Sequence, residues 1–171
     1  MDIDSVLLLR VSSVVDKDVD HPQFFDPPYP LKYLQAGLET DKDLTVNFLD
    51  CWIHPSNISQ MLSRAVRIRP DLIVVSASSF DVDVADDLVV ELKRQKDAPL
   101  VIGIGQGHYY NRADRNIDDR EYDAILLGEP EQEFFRLFEW IRESGAFHKD
   151  WKDYYRNCYA EGKSFVVEEA D

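Results

Sequence analysis

The side chains able to do chemistry are few and scattered. Two thiols, Cys51 and Cys158, and four imidazoles, His21, His54, His108 and His148, stand among a surplus of carboxylates. Asp16, Asp18 and Asp20 repeat at alternate positions, as the first ligands of a calcium loop do. Such a loop also needs a Gly at its sixth position, for the sharp turn that aims the ligands, and a Glu at its twelfth. His21 and Pro27 stand there, so no calcium site follows. The histidines show no H-x-x-x-H spacing that would aim two imidazoles from one helix face, so no zinc site is readable. Two distant cysteines make neither a disulfide framework nor a four-ligand metal site, and they read as reduced bystander thiols. Cys51 close to His54 is the one pair spaced like a nucleophile and its base. The simpler reading is a thiol and an imidazole at a strand end, because such residues often occur without being matched. No G-x-S-x-G elbow is present. A Ser/His/Asp triad assembles in space rather than along the chain, so the sequence leaves it open. Asp81, Asp83, Asp86 and Asp87 cluster at the start of a helical segment, where the helix dipole stabilises solvated negative charge.

Binding chemistry is easier to find than catalytic chemistry. Gly103-x-Gly105-x-Gly107 is a glycine-rich turn, but it follows the fourth apolar block, whereas a dinucleotide fingerprint follows the first. Closely spaced glycines let a large flat ligand approach the backbone, and they equally serve a turn that needs positive φ. Ser76-Ala77-Ser78-Ser79 ends the third block with small hydroxyl residues, and Gly128-Glu129-Pro130-Glu131 follows the fifth. Three small-residue turns on one predicted edge outline an open platform, which suits binding better than acid/base chemistry.

The elements that position these turns are written in the hydrophobic pattern. Ser5–Val11, Leu44–Asp50, Asp71–Ala77, Pro99–Ile104 and Tyr122–Leu127 are nearly continuous apolar runs, the pattern of strands covered on both faces. Helical stripes alternate with them. Leu31, Leu34 and Leu38 follow Pro30, which suits a first turn because its missing N–H would be unpaired there. Ile58, Met61, Leu62, Ala65 and Val66 follow Ser56 or Asn57 as N-cap; Val84, Ala85, Leu88, Val89 and Leu92 follow Asp81, another natural cap. Phe134, Leu137, Phe138 and Ile141 run from Pro130 to a stop at Gly145. Strand and helix in alternation predict an α/β fold, a doubly wound, Rossmann-like or flavodoxin-like five-stranded parallel sheet flanked by helices. Residues 1–146 form this domain, and 147–171 form a short C-terminal appendage, an aromatic tail with Trp151, Tyr154, Tyr155 and Tyr159 that ends in a turn and a strand. Val14–Tyr29 is long for a βα loop and lies beside the carboxyl end of the first strand, where open α/β sheets bind ligands. The charged Gly105–Glu121 stretch reads as a surface loop.

Composition excludes several partners. The 171 residues are 44% apolar, enough for a buried core, and 33 acidic against 19 basic side chains leave a net charge of −14. That charge repels phosphate backbones and anionic lipid, and no basic cluster offsets it, so neither nucleic acid nor a membrane is an expected partner. The acidic start, Met1-Asp2-Ile3-Asp4, and Arg10 within the first apolar run are unlike a secretory signal, and no run is long enough to span a bilayer. The expectation is a cytoplasmic protein.

Four segments, in order, resemble the N-terminal cobalamin-binding domain of cobalamin-dependent radical S-adenosylmethionine proteins. Pro27-Pro28-Tyr29-Pro30-Leu31-Lys32-Tyr33-Leu34 is similar to that family's P-P-x-G-L-x-Y-L lead-in to the first helix. Arg69-Pro70-Asp71-Leu72-Ile73-Val74-Val75-Ser76 resembles its third strand, and Val101-Ile102-Gly103-Ile104-Gly105-Gln106-Gly107-His108 its V-(L/I)-G-G-P-H turn. Tyr122-Asp123-Ala124-Ile125-Leu126-Leu127-Gly128-Glu129-Pro130-Glu131, the most specific of the four, resembles D-x-(V/I)-V-x-G-E-(G/P)-E. The resemblance spans about Ser5 to Glu143. It implies cobalamin lying across the carboxyl ends of the strands, with contacts on Ser76, Ala77, Ser78, Gly105, Gln106, Gly107, Gly128 and Glu129.

The departures from the family pattern are specific. Pro30 replaces the lead-in glycine, and Gly105-Gln106-Gly107 separates what is usually a glycine pair. The Asp-x-His-x-x-Gly motif, by which related proteins give cobalt a histidine, is absent after the first strand, so the resemblance implies a corrinoid held without that ligand. The Cys-x-x-x-Cys-x-x-Cys motif of the iron–sulfur cluster cannot be built from Cys51 and Cys158. The expected function is therefore a cobalamin-binding module of, or partner to, a radical S-adenosylmethionine catalytic domain in cis or in trans, not itself catalytic. The alternative is a cofactor-free interaction or regulatory module on the same fold with a decayed corrinoid site.

Overall fold

Five apolar blocks pair as β1 (Ser5–Arg10), β2 (Thr45–Asp50), β3 (Leu72–Ser76), β4 (Leu100–Ile104) and β5 (Ala124–Ile125) in a computed structural model. It describes residues 3–13, 28–105, 107–108, 122–126 and 130–144. All neighbouring strands are parallel, in the order β2-β1-β3-β4-β5. The helices among the described residues are α1 (Tyr29–Leu38), α2 (Ile58–Ile68), α3 (Val82–Lys93) and α4 (Pro130–Ser144). This is the doubly wound α/β architecture the alternating pattern predicts. The 147–171 tail lies outside the described residues, as do Asp16, Asp18, Asp20 and Cys158.

Alternation along each strand explains why the runs are apolar throughout. Val6, Leu8, Leu72, Val74 and Ile102 face one side, against Leu31, Leu34 and Leu38 of α1 and Phe134, Leu137, Phe138 and Ile141 of α4. Leu7, Leu9, Ile73, Val75 and Val101 face the other, against Met61 and Ala65 of α2 and Ala85, Leu88, Val89 and Leu92 of α3. A strand with helices on both faces has no solvent side, so the inner positions of β1, β3 and β4 are apolar and buried, whereas the edge strand β2 is only partly buried and keeps Thr45, Asn47 and Asp50.

The helix starts follow local chemistry. Asn57 caps α2 in a capping box, accepting from the Gln60 amide at 2.9 Å while Gln60 Oε1 accepts from the Asn57 amide at 3.0 Å. Ser56, the other candidate cap, instead donates its hydroxyl to the His54 carbonyl. Pro30 falls in the first turn of α1, one residue after the helix begins. Val66 departs from the predicted apolar stripe: it is 46% exposed, because α2 meets the sheet through Met61 and Ala65, with Ile58, Leu62 and Ile68 packed beside them. The fifth strand is shorter than the predicted Tyr122–Leu127 run, since pairing with β4 is confined to Ala124 and Ile125.

Two carboxylates pin the amino edge of the sheet. Asp71, just before β3, accepts the backbone N–H groups of Asp4 and Ser5, both at 2.9 Å. Asp123, just before β5, accepts the Val101 amide at 2.7 Å and pairs with Lys93. Each satisfies backbone donors that no further strand residue reaches, and each fixes the start of one strand against its neighbour. On the α1/α4 side, Arg142 hydrogen-bonds Asp41 and holds its carboxyl below the usual range. Asp71→Ala is expected to lower stability by about 2 kcal/mol, the scale of lost charge-assisted hydrogen bonds, read by urea denaturation. An unchanged midpoint would show that water replaces the carboxylate.

Candidate functional site

In the strand order β2-β1-β3-β4-β5, the connection out of β1 runs to one side and the connection out of β3 to the other, which opens a crevice at their carboxyl ends. Strand register brings Asp50, Arg10, Ser76 and Ile104 into one row across this edge. Above the row, β1 continues one residue beyond its strand by donating the Val11 amide to the Ser76 carbonyl at 3.1 Å.

Two of the three predicted small-residue turns lie side by side among the described residues, though the glycines work differently. Gly105 has a φ of +103°, a conformation that L side chains rarely adopt, and a Cβ there would lie 2.7 Å from the Ala77 carbonyl oxygen. A Cβ on Gly107 would lie 2.2 Å from the Ser78 carbonyl oxygen. The space beside both glycines is filled by the loop after β3, so their immediate role is to let two loops of the protein lie backbone against backbone. The Gly107 amide donates to the Ala77 carbonyl at 3.1 Å and the Ala77 amide to the Ile104 carbonyl at 3.2 Å, closing the seam. Ser76 and Ser78 are half-buried and Ala77 is buried beside them. Ser76, Ala77, Ser78, Gly105 and Gly107 thus share one rim; Gln106, Gly128 and Glu129 lie outside the described residues.

Asp81 departs from its expected role as a solvated cap. It is 1% exposed and occupies the N-cap position of α3 without any side-chain cap hydrogen bond. Its Oδ1 accepts the Ser13 amide at 2.7 Å and its Oδ2 accepts the Ser78 hydroxyl. The sequence signal was the Ser-x-x-Asp spacing of Ser78 and Asp81, which reads equally well as an ordinary turn. Arg10 and Asp50, also not singled out as a pair by the sequence, sit side by side, with Arg10 Nη1 3.7 Å from Asp50 Oδ2. The Arg10 guanidinium lies 4.7 Å from the Trp52 ring centre, and Asp50 Oδ1 accepts the Trp52 amide at 2.9 Å. The neighbouring strand ends make this pairing, because Arg10 and Asp50 are register partners.

Among the described residues the reactive side chains do not assemble into a catalytic group. Cys51 is fully buried while His54 is exposed. Burial pushes the Cys51 thiol up to about 11, against a smaller opposing pull from Arg64, so it is neutral at ordinary pH and not a poised nucleophile. Ser78 donates directly to Asp81, where a triad would set an imidazole between them. His108 is fully buried, its ring edge-on to Tyr122 at 5.1 Å. Among the described residues no group of three or more His, Cys, Asp or Glu is placed to hold a metal, and no helix is long and apolar enough to cross a membrane. A cleft of about 510 Å³ opens at the opposite, amino edge between the ends of α2 and α3, lined by Val66, Arg69, Leu92 and Lys96, and it contains no predicted site residue.

Solved structures share this fold. One is the radical S-adenosylmethionine methyltransferase TsrM from Kitasatospora setae with tryptophan substrate and the SAM analogue aza-SAM bound. It matches at 24% identity with a TM-score of 0.62, over 82% of this chain and 26% of that one. The likeness establishes the fold. A second structure of TsrM from the same organism, with cobalamin and a 4Fe-4S cluster bound, matches at 26% identity and a TM-score of 0.47 over 63% of this chain and 20% of that one. The chain therefore corresponds to about a quarter of the length of the TsrM chain. Neither a protein-family profile nor a curated protein matches the sequence.

Two outcomes test this geometry. Gly107→Ala is expected to cost about 2 kcal/mol, because the added methyl meets backbone that cannot rotate away, and a melting temperature equal to wild type would contradict the close packing. Cys51 should resist a thiol reagent at pH 8 in the folded protein and react fully once unfolded. Because its native titration is raised from 9.0 to about 11, stability from this group is complete below pH 9 and lost as pH climbs toward 11, where only the unfolded chain gains by ionising. Denaturation midpoints measured between pH 8 and 11 read this directly.

Proposed function

We propose that this chain is a cobalamin-binding module serving a radical S-adenosylmethionine reaction, methyl transfer being the class suggested by the neighbour's name. That reaction is done by a catalytic domain in cis or in trans, and the chain performs no radical chemistry itself. The observation that carries this reading is the rim at the β1/β3 crevice, where Ser76, Ala77, Ser78, Gly105 and Gly107 come together with no side chain larger than a hydroxymethyl. A corrinoid is broad and nearly flat, and it needs a level surface offering backbone groups and small hydroxyls rather than a deep polar cleft. The rim has that form, so these residues fit the group. Gln106, Gly128 and Glu129 complete the proposed contact set.

Within this reading, the bound corrinoid would supply a cobalt centre able to carry the transferred group. The chain's own part is to bind and orient. Ser78 spends its proton on Asp81 and its oxygen accepts the Phe80 amide at 3.3 Å, which holds the hydroxyl in one orientation at the rim.

A cofactor-free docking module is the second reading, and one observation favours it. Phe80, in the loop after β3, is 86% exposed, and Ile53, in the loop after β2, is 52% exposed, both on the carboxyl side of the sheet. Exposed large apolar side chains beside a small-residue rim suit contact with another protein surface. The two readings separate in one experiment. The purified chain incubated with hydroxocobalamin is expected to co-elute with it on gel filtration, with a shifted visible spectrum. A colourless protein peak would remove the corrinoid reading and leave the docking module.

A further inference from the structure

We propose that Asp81 is the positioning residue of the rim, a buried latch that fastens the loop leaving β1 to the loop leaving β3 before a ligand arrives. The inference deepens the corrinoid reading and rests on it for the ligand's identity alone.

An Asp at an N-cap ordinarily turns its carboxylate back onto the first amides of its own helix. Asp81 makes no such bond; one oxygen reaches another loop and the other turns back on its own. Oδ1 takes the amide of Ser13, 68 positions away in the chain, and Oδ2 takes the hydroxyl of Ser78. With the residue 1% exposed, these charge-assisted bonds are made out of water, where they are strongest. The connection extends further. Ala77, next to Ser78, accepts the Gly107 amide, so the loops after β1, β3 and β4 form one hydrogen-bonded chain with Asp81 at the β1 junction. Ser13 stands at the head of the long segment leading to α1, so the latch fixes where that segment leaves the sheet. Loops held in place beforehand lose less freedom on binding, so the latch acts on affinity.

The test compares wild type, Asp81→Ala and Asp81→Asn in the full chain, by amide hydrogen exchange at Ser13 and by titration with hydroxocobalamin. Asp81→Ala is expected to speed exchange at Ser13 and weaken binding by roughly tenfold each, the scale of one charge-assisted hydrogen bond. Asp81→Asn keeps an acceptor for Ser13 and offers its amide to the Ser78 oxygen, so it should stay within about threefold of wild type, a rescue that a general loss of folding would not show. Unchanged exchange and affinity in Asp81→Ala would overturn the proposal, as would a folded Asp81→Asn that behaves like Asp81→Ala. If Asp81→Ala does not fold, Asp81→Ser keeps a capping residue too short to span both partners, and unchanged Ser13 exchange in that variant overturns the latch. Wild type that takes no hydroxocobalamin removes the corrinoid reading, while exchange at Ser13 still decides the latch.

Discussion

Burial of β1 on both faces is the constraint on which the rest of the structure depends. Leu7, Leu8 and Leu9 are completely inaccessible, with β2 and β3 paired on either side and helices above and below. A strand so enclosed can meet water only at its ends, and parallel pairing places the carboxyl ends of all five strands on the same edge. The loops that leave that edge must therefore share one region of surface. Because β1 and β3 send their chains to opposite sides, a crevice opens between them.

The two edges of the sheet are finished in different ways. At the amino edge, Asp71 and Asp123 each close off backbone donors of the neighbouring strand, which makes that edge a place of strand alignment. At the carboxyl edge, the same residue type in Asp81 spans between loops instead of between strands. The motif-like segments Arg69–Ser76 and Tyr122–Glu131 each contain one of the amino-edge aspartates, so part of what makes them recognisable in sequence is the work of holding strands in register.

The glycines illustrate how one residue type can serve two readings. Beside Gly105 and Gly107 the loop after β3 already occupies the position where a Cβ would stand. Close approach by the protein's own backbone thus accounts for both glycines. Among the described residues Ser76, Ala77, Ser78, Gly105 and Gly107 of this seam carry nothing larger than a hydroxymethyl. The corrinoid proposal and the structural use of these residues are therefore compatible, and the rim is a product of loop packing before it is a site.

The sequence by itself determined the alternation of strands and helices, the two-sided burial and the grouping of Ser76, Ala77, Ser78, Gly105 and Gly107 at one edge. Hydrophobic period and turn residues act within a few positions of one another, so they are legible along the chain. The start of α2 was legible to within Ser56 or Asn57 for the same reason, and the structure chose Asn57. The tertiary structure alone decided what the polar residues do. Nothing local distinguishes Asp81 as a buried link to Ser13 from a solvated cap, and nothing local pairs Arg10 with Asp50 or removes Cys51 from water. Each of those outcomes depends on which distant segment the sheet order brings alongside, and a carboxylate, guanidinium or thiol takes its chemistry from that neighbour and from the water it loses.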